Sequence, residues 1–215
     1  MKTGPDLATG EEAVEILGKQ ELHKGFLTVE RYTVRSRRYD GSLTDSYTRD
    51  LMTSLESGCA SCVLPYDPVA DKIILIEQFR LVHHVRERHS AWPLEIPGGL
   101  IKVGGDPVDT ARREVEEETG RSLLRLEKIT EFLPAAAEFT AVIHIYVGEI
   151  EAGEGGGVHG LEEEDENIKV HVLSPRDAIK LLDTGRIGDG KTQIALHWLA
   201  RHHEALRTRW LAERA

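Results

Sequence analysis

The stretch PGGLIKVGGDPVDTARREVEEETG, residues 97–120, sets four glutamates, Glu114, Glu116, Glu117 and Glu118, into five consecutive positions. Asp106 suits a helix N-cap, Pro107 the first helical position and Gly120 the residue past the end, so the spacing predicts a helix over 107–119. Val108, Ala111 and Val115 form its apolar stripe. Like charges crowded on one helix repel and cost stability. Glu114 and Glu118, four residues apart, differ by about 40° around the axis and share a face, with Glu117 at its border. Hard cations want oxygen ligands gathered in this way. The plainer alternative is a solvated face on which Arg112 and Arg113 pair with Glu116 and Glu117. The preceding loop weighs against it. Gly98, Gly99, Gly104 and Gly105 allow close backbone approach and do nothing for a helix.

The rest of the chain frames this helix. At 215 residues it has room for one sizeable domain or a domain with an appendage. The net charge of −10 offers no basic stripe, which argues against a nucleic-acid partner. An acidic protein can still handle a phosphorylated substrate when metal ions sit between the anions. No apolar run is long enough for a membrane span and no signal-peptide core is visible, so a cytoplasmic location is expected. Cys59 and Cys62 lie at a CxxC spacing, but in a strand they face opposite sides, and no second pair completes a zinc site. They read as small packing residues.

Residues 12–54 alternate in the manner of strands around an Asp40-Gly41 turn, predicting a small antiparallel unit whose edges suit pairing with a second subunit. KIILIEQF (72–79), AVIHIYVGEI (141–150) and NIKVHVLSP (167–175) read as strands. Helices follow from Ser174-Pro175 to Gly185 and over KTQIALHWLARHHEALRTRWLAER. Trp92, Trp198 and Trp210 read as core or interface anchors. The expected class is α/β (α+β), with an N-terminal β domain over 1–54 and a main domain over 55–215. A loop with glycine hinges and an acidic tip, EAGEGGGVHGLEEEDE, lies between the last two strands.

Gly99, Arg113-Glu114-Val115, Glu117-Glu118 and Gly120 fall in register with the Nudix box, G-x5-E-x7-R-E-U-x-E-E-x-G-U, with U bulky and aliphatic. Together with HKGF, YDPVADKIILIEQFR, WPLEIPGG and VHGLEEEDENIKVHVLS, they make most of the chain resemble bacterial ADP-ribose pyrophosphatases of the Nudix superfamily. The resemblance implies an α/β/α sandwich with a mixed sheet and a homodimer with exchanged N-terminal domains. It also implies Mg²⁺-dependent hydrolysis (Mn²⁺ a possible substitute) of ADP-ribose, a nucleotide sugar, to AMP and ribose 5-phosphate. By the same resemblance the Gly98 carbonyl, Glu114, Glu118 and Glu166 hold metal. Glu117 and Arg113 assist, and Glu164 is the catalytic base. Arg80 binds substrate, while Phe26 and Arg49 sandwich the adenine.

Two box positions depart. Gly105 stands where the first glutamate belongs, leaving Arg113 to pair with Asp106 or Glu117 at a cost on the order of 1–2 kcal/mol. Arg121 stands where the last aliphatic belongs. Beyond the box, AAAEFTAV replaces a glycine- and serine-bearing substrate loop, with Glu138 the nearest acid. That change bears on substrate choice. The alternatives are hydrolysis of another nucleoside diphosphate sugar or a dinucleotide, and a sensor that binds ADP-ribose without cleaving it.

Overall fold

The computed structural model describes residues 13–54, 58–88, 90–153 and 155–214. The first twelve residues of the expected N-terminal domain lie outside them. Two compact units result, one from the described part of Met1–Gly58 with Ala135–Ala141, the other from Cys59–Pro134 with Val142–Ala215.

The first unit is an antiparallel meander of β1 (Val14–Lys24), β2 (Leu27–Ser36) and β3 (Tyr47–Ser54). The turn expected at Asp40-Gly41 joins β2 to β3. Asp40 Oδ1 accepts from the Ser42 amide at 2.8 Å, and Gly41 takes a φ of 86°, which a side chain would resist. The apolar segment 135–141 belongs to this unit. Phe139 bridges to Met52, whose amide donates to the Glu138 carbonyl at 2.7 Å. From sequence alone that segment is expected in the main domain.

The second unit carries a mixed sheet of eight strands. They are β4 (Ala60–Asp67), β5 (Lys72–Glu77), β6 (Leu94–Glu95), β7 (Gly98–Leu100), β8 (Arg125–Phe132), β9 (Ile143–Glu149), β10 (Gly157–His159) and β11 (Ile168–Leu173). Its order is β10-β11-β5-β4-β9-β8, with β6 on β5 and β7 on β4, and the β4–β9 pair is parallel. Among the described residues four α-helices accompany it: α1 (Leu81–Val85), α2 (Pro107–Thr119), α3 (Pro175–Lys180) and α4 (Gly190–Arg214).

The side-chain period of two explains the layering. Val63, Ile74 and Ile76 point to one face and pack with Ala111 and Val115 of α2. Cys62, Leu64, Ile73 and Leu75 point to the other and pack with Leu196, Leu199 and Trp210 of α4. A strand buried on both faces reads as a continuous apolar run, as β4 and β5 do. The result is the α/β/α sandwich expected of the chain.

Trp210 is fully buried, and its indole donates to Glu127 at 2.6 Å. Trp198 is partly buried against the same core, and Trp92 lies half-exposed beside Phe79 at 5.4 Å between ring centroids. Cys62 is buried, and that burial pushes its thiol up to about 12. No described helix is long and apolar enough to cross a membrane.

Candidate active site

Helix α2 begins and ends where its sequence dictates. Asp106 Oδ1 accepts from the Val108 and Asp109 amides at 2.7 and 3.2 Å, and Gly120 closes the helix at φ 66°. Ala111 and Val115 enter the core, but Val108 stays 37% exposed. It sits in the first turn, so the expected three-residue stripe has two buried members.

The face carrying Glu114 and Glu118 is turned inward as well. Glu118 is 2% exposed and Glu114 is 7% exposed. The Gly98 amide donates to Glu118 Oε2 at 2.7 Å, tying the glycine loop to the helix. The glycines are there because carboxylates and backbone occupy the space a side chain needs. A Cβ on Gly99 would lie 2.5 Å from Glu114 Cδ, and one on Gly98 would lie 2.6 Å from Cys62 Cα.

The acidic loop closes the third side. The Gly160 amide donates to the Glu117 carbonyl at 3.2 Å, and His159 packs against Gly120 at the end of α2. Glu166 follows, its Oε2 accepting from the Leu161 amide at 3.2 Å. Glu164 ends a 3-10 turn over Glu162–Glu164 and stands exposed.

The electrostatics follow from this crowding. Burial, reinforced by the charges of Glu114 and Glu166, pushes the Glu118 carboxyl up to about 8, although the Gly98 amide and Arg80 oppose it. Burial also raises Glu114 against the pull of Arg113. The carboxylates of Glu114, Glu117, Glu118 and Glu166 each have a protein partner, and among the described residues no three His, Cys, Asp or Glu side chains are drawn to metal-ligand spacing. Arg113 donates to Glu114 Oε1 at 2.5 Å and to Glu117 Oε2 at 2.6 Å. Asp106, the other expected partner of Arg113, is instead spent on the helix cap.

Arg80, the N-cap residue of α1, binds Glu95 through both Nε and Nη2, at 3.0 and 2.9 Å. Its charge acts on Glu118. Glu95 and its second partner Lys191 were not singled out from sequence. The available signal was an acid inside the apolar run Leu94-Glu95-Ile96 at β6, where an unpaired charge would be untenable.

A glycine loop, a capped helix with two buried glutamates and a third acid on a hinged loop form one constellation. The model of the NUDIX domain matches residues 59–193, well over half of the chain. The chain belongs to the NUDIX domain family. Over 201 residues it is 36% identical to the ADP-ribose pyrophosphatase of Escherichia coli K12, covering 94% of each chain. It is 35% identical over 202 residues to that of Haemophilus influenzae, covering 93% of this chain and 92% of the relative. A crystal structure of an ADP compounds hydrolase shares the fold at a TM-score of 0.67 and 20% identity, covering 93% of this chain and 98% of the other.

The two departures from the Nudix box have local structural outcomes. With Gly105 in place of the first glutamate, Arg113 takes two acids from its own helix. Arg121, in place of the aliphatic, donates to the carbonyls of Ala152 and Gly155 at 3.0 Å each and pins the chain leaving β9. Phe26 and Arg49 lie in the first unit. Phe26 is 69% exposed in the β1–β2 turn, and the Arg49 guanidinium lies 4.6 Å from the Tyr47 ring centroid.

Proposed function

We propose that this Nudix chain hydrolyses the diphosphate bond of ADP-ribose, giving AMP and ribose 5-phosphate, with Mg²⁺ as cofactor and Mn²⁺ as a substitute. The observation that carries the reading is Glu118: a carboxylate 2% exposed, fixed by the Gly98 amide and crowded by Glu114 and Glu166. A buried acid cluster of this kind is unfavourable unless protonated or matched by positive charge. Likeness to the ADP-ribose pyrophosphatases supports the substrate.

The donor set is all oxygen and suits a hard dication. Glu114, Glu118, Glu166 and the Gly98 carbonyl would hold it. When bound, Mg²⁺ offsets the charge of the diphosphate and acidifies water. The chain's own groups do the rest. Arg113 orients Glu114 and Glu117 through its paired bonds. Arg80, braced by Glu95, offers its remaining donors to a phosphate oxygen. Glu164, on a loop flanked by the positive-φ residues Gly160 and Asp165, takes the proton of the attacking water as one P–O bond forms and the bridging P–O bond breaks.

Phe26 and Arg49 hold the adenine, donated from the partner of a homodimer. The exposed apolar residues Val14, Ile16 and Leu17 of edge strand β1 support pairing through the first unit. The experiment is a phosphate-release assay, coupled to a phosphatase, on ADP-ribose and other nucleoside diphosphate sugars with and without Mg²⁺. AMP appearing only from ADP-ribose with the cation present bears the reading out. Turnover confined to another sugar nucleotide moves the substrate, and tight binding without turnover makes the chain a sensor.

A further inference from the structure

Arg80 does not stand alone beside the acid cluster. It ends a row of alternating charges that runs back to the start of α4: Arg80, Glu95, Lys191, Asp189. Glu95, 3% exposed on β6, gives one oxygen to Arg80 Nε and the other to both Arg80 Nη2 and Lys191 Nζ, the last at 2.6 Å. Lys191 Nζ also reaches Asp189 Oδ1 at 3.2 Å. The backbone beneath the row is fixed in step. Asp189 Oδ1 accepts from the Thr192 amide at 2.9 Å, and Thr192 Oγ1 accepts from the Ile96 amide at 2.9 Å. The Arg80 amide itself donates to the Ala91 carbonyl at 2.8 Å.

Stability alone does not account for this row. Buried ion pairs are often replaced by apolar residues of similar volume at no loss of stability, because desolvation offsets most of the attraction. Geometry gives a better reason. A guanidinium has five N–H donors in a rigid fork, and a carboxylate bound to its Nε–Nη2 edge fixes the plane of the rest. With Lys191 on the same carboxylate, Glu95 cannot follow Arg80 if the arginine swings toward the acids of α2.

We propose that Lys191, acting through Glu95, is a positioning residue for Arg80 and so for the substrate's diphosphate. The inference rests on the reading of Arg80 as a substrate-binding arginine. Lys191 touches no substrate in this arrangement. It fixes the carboxylate that fixes the guanidinium.

The test is a double-mutant cycle read by calorimetric binding of α,β-methylene ADP-ribose in the presence of Mg²⁺. Lys191→Met in the otherwise intact chain is expected to weaken binding roughly tenfold, the loss of about one charge-assisted hydrogen bond. In an Arg80→Ala background the same change is expected to cost nothing further, and Lys191→Arg is expected to restore most of the affinity. Glu95→Asp, which keeps the charge and shortens the arm, carries the same cycle if Lys191→Met does not fold. Equal losses in both backgrounds, or none in either, overturn the inference while leaving Arg80's role intact. If Arg80→Ala alone binds as the unaltered chain does, the assignment of Arg80 fails, and this inference falls with it.

Discussion

The Gly98 amide and the Glu118 carboxylate meet at 2.7 Å across twenty residues of chain, one on the glycine loop and the other in the last turn of α2. That bond holds a buried acid at a fixed place against the sheet. It also links the residue just before the Nudix box to the far end of that box.

Glu118 titrates against folding in the metal-free protein. Its folded pKa is raised from 4.5 to about 8, so the folded state holds the proton more tightly than the unfolded state does. That contribution to stability is fully present below about 4.5 and is lost as pH rises through about 8. Glu118→Gln removes the ionisable group. Metal-free thermal melts are therefore expected to show the variant gaining on the parent chain from pH 5 to pH 9, by an amount on the order of a few kcal/mol. A constant gap across that range contradicts the burial described here.

Gly99→Ala places a Cβ 2.5 Å from Glu114 Cδ. The carboxylate must move, and Arg113 with it. The expected outcome is a loss of roughly 1–3 kcal/mol in stability, the usual cost of overpacking, with hydrolysis falling at least tenfold. Chemical denaturation and the phosphate-release assay together measure both.

Gly105→Glu restores the acid that the Nudix box carries at this place. Because Arg113 is already bound by Glu114 and Glu117, a third acid has little left to satisfy. Stability is expected to change by less than about 1 kcal/mol, the range of exposed ion pairs. A gain well beyond that would mean that the two observed pairs are weak in solution.

Phe26→Ala and Arg49→Ala test the adenine site. Each is expected to raise KM for ADP-ribose roughly tenfold while kcat changes little, since base stacking is worth about 1–3 kcal/mol and acts in ground and transition states alike. Unchanged KM in both removes the first unit from substrate binding.

How much of this was legible in the sequence depends on distance along the chain. Helix α2 was readable because its signals are local: a capping aspartate, a proline at the first position and a terminal glycine. The α2 acids and their glycine loop were readable for the same reason, and the family pattern placed Glu166 with them. Partnerships set by tertiary packing were not. Glu95 and Lys191 lie 96 residues apart, and neither has a local reason to be charged. Val108 obeys the helical period yet stays half out of the core, since periodicity says which way a residue points and not how much of the fold covers it. The segment 135–141 looked like part of the main domain because its pairing with Met52 spans more than eighty residues. Strand β8, mostly polar or half-exposed, offered no alternation clear enough to read.

The proposed chemistry requires a divalent cation among Glu114, Glu118 and Glu166. Mn²⁺ titration followed by electron paramagnetic resonance counts bound ions directly, with the full chain and α,β-methylene ADP-ribose present. At least one ion per chain is expected on the unaltered protein, and fewer on Glu114→Gln and Glu118→Gln chains that still melt cooperatively. Equal Mn²⁺ uptake by all three would contradict it.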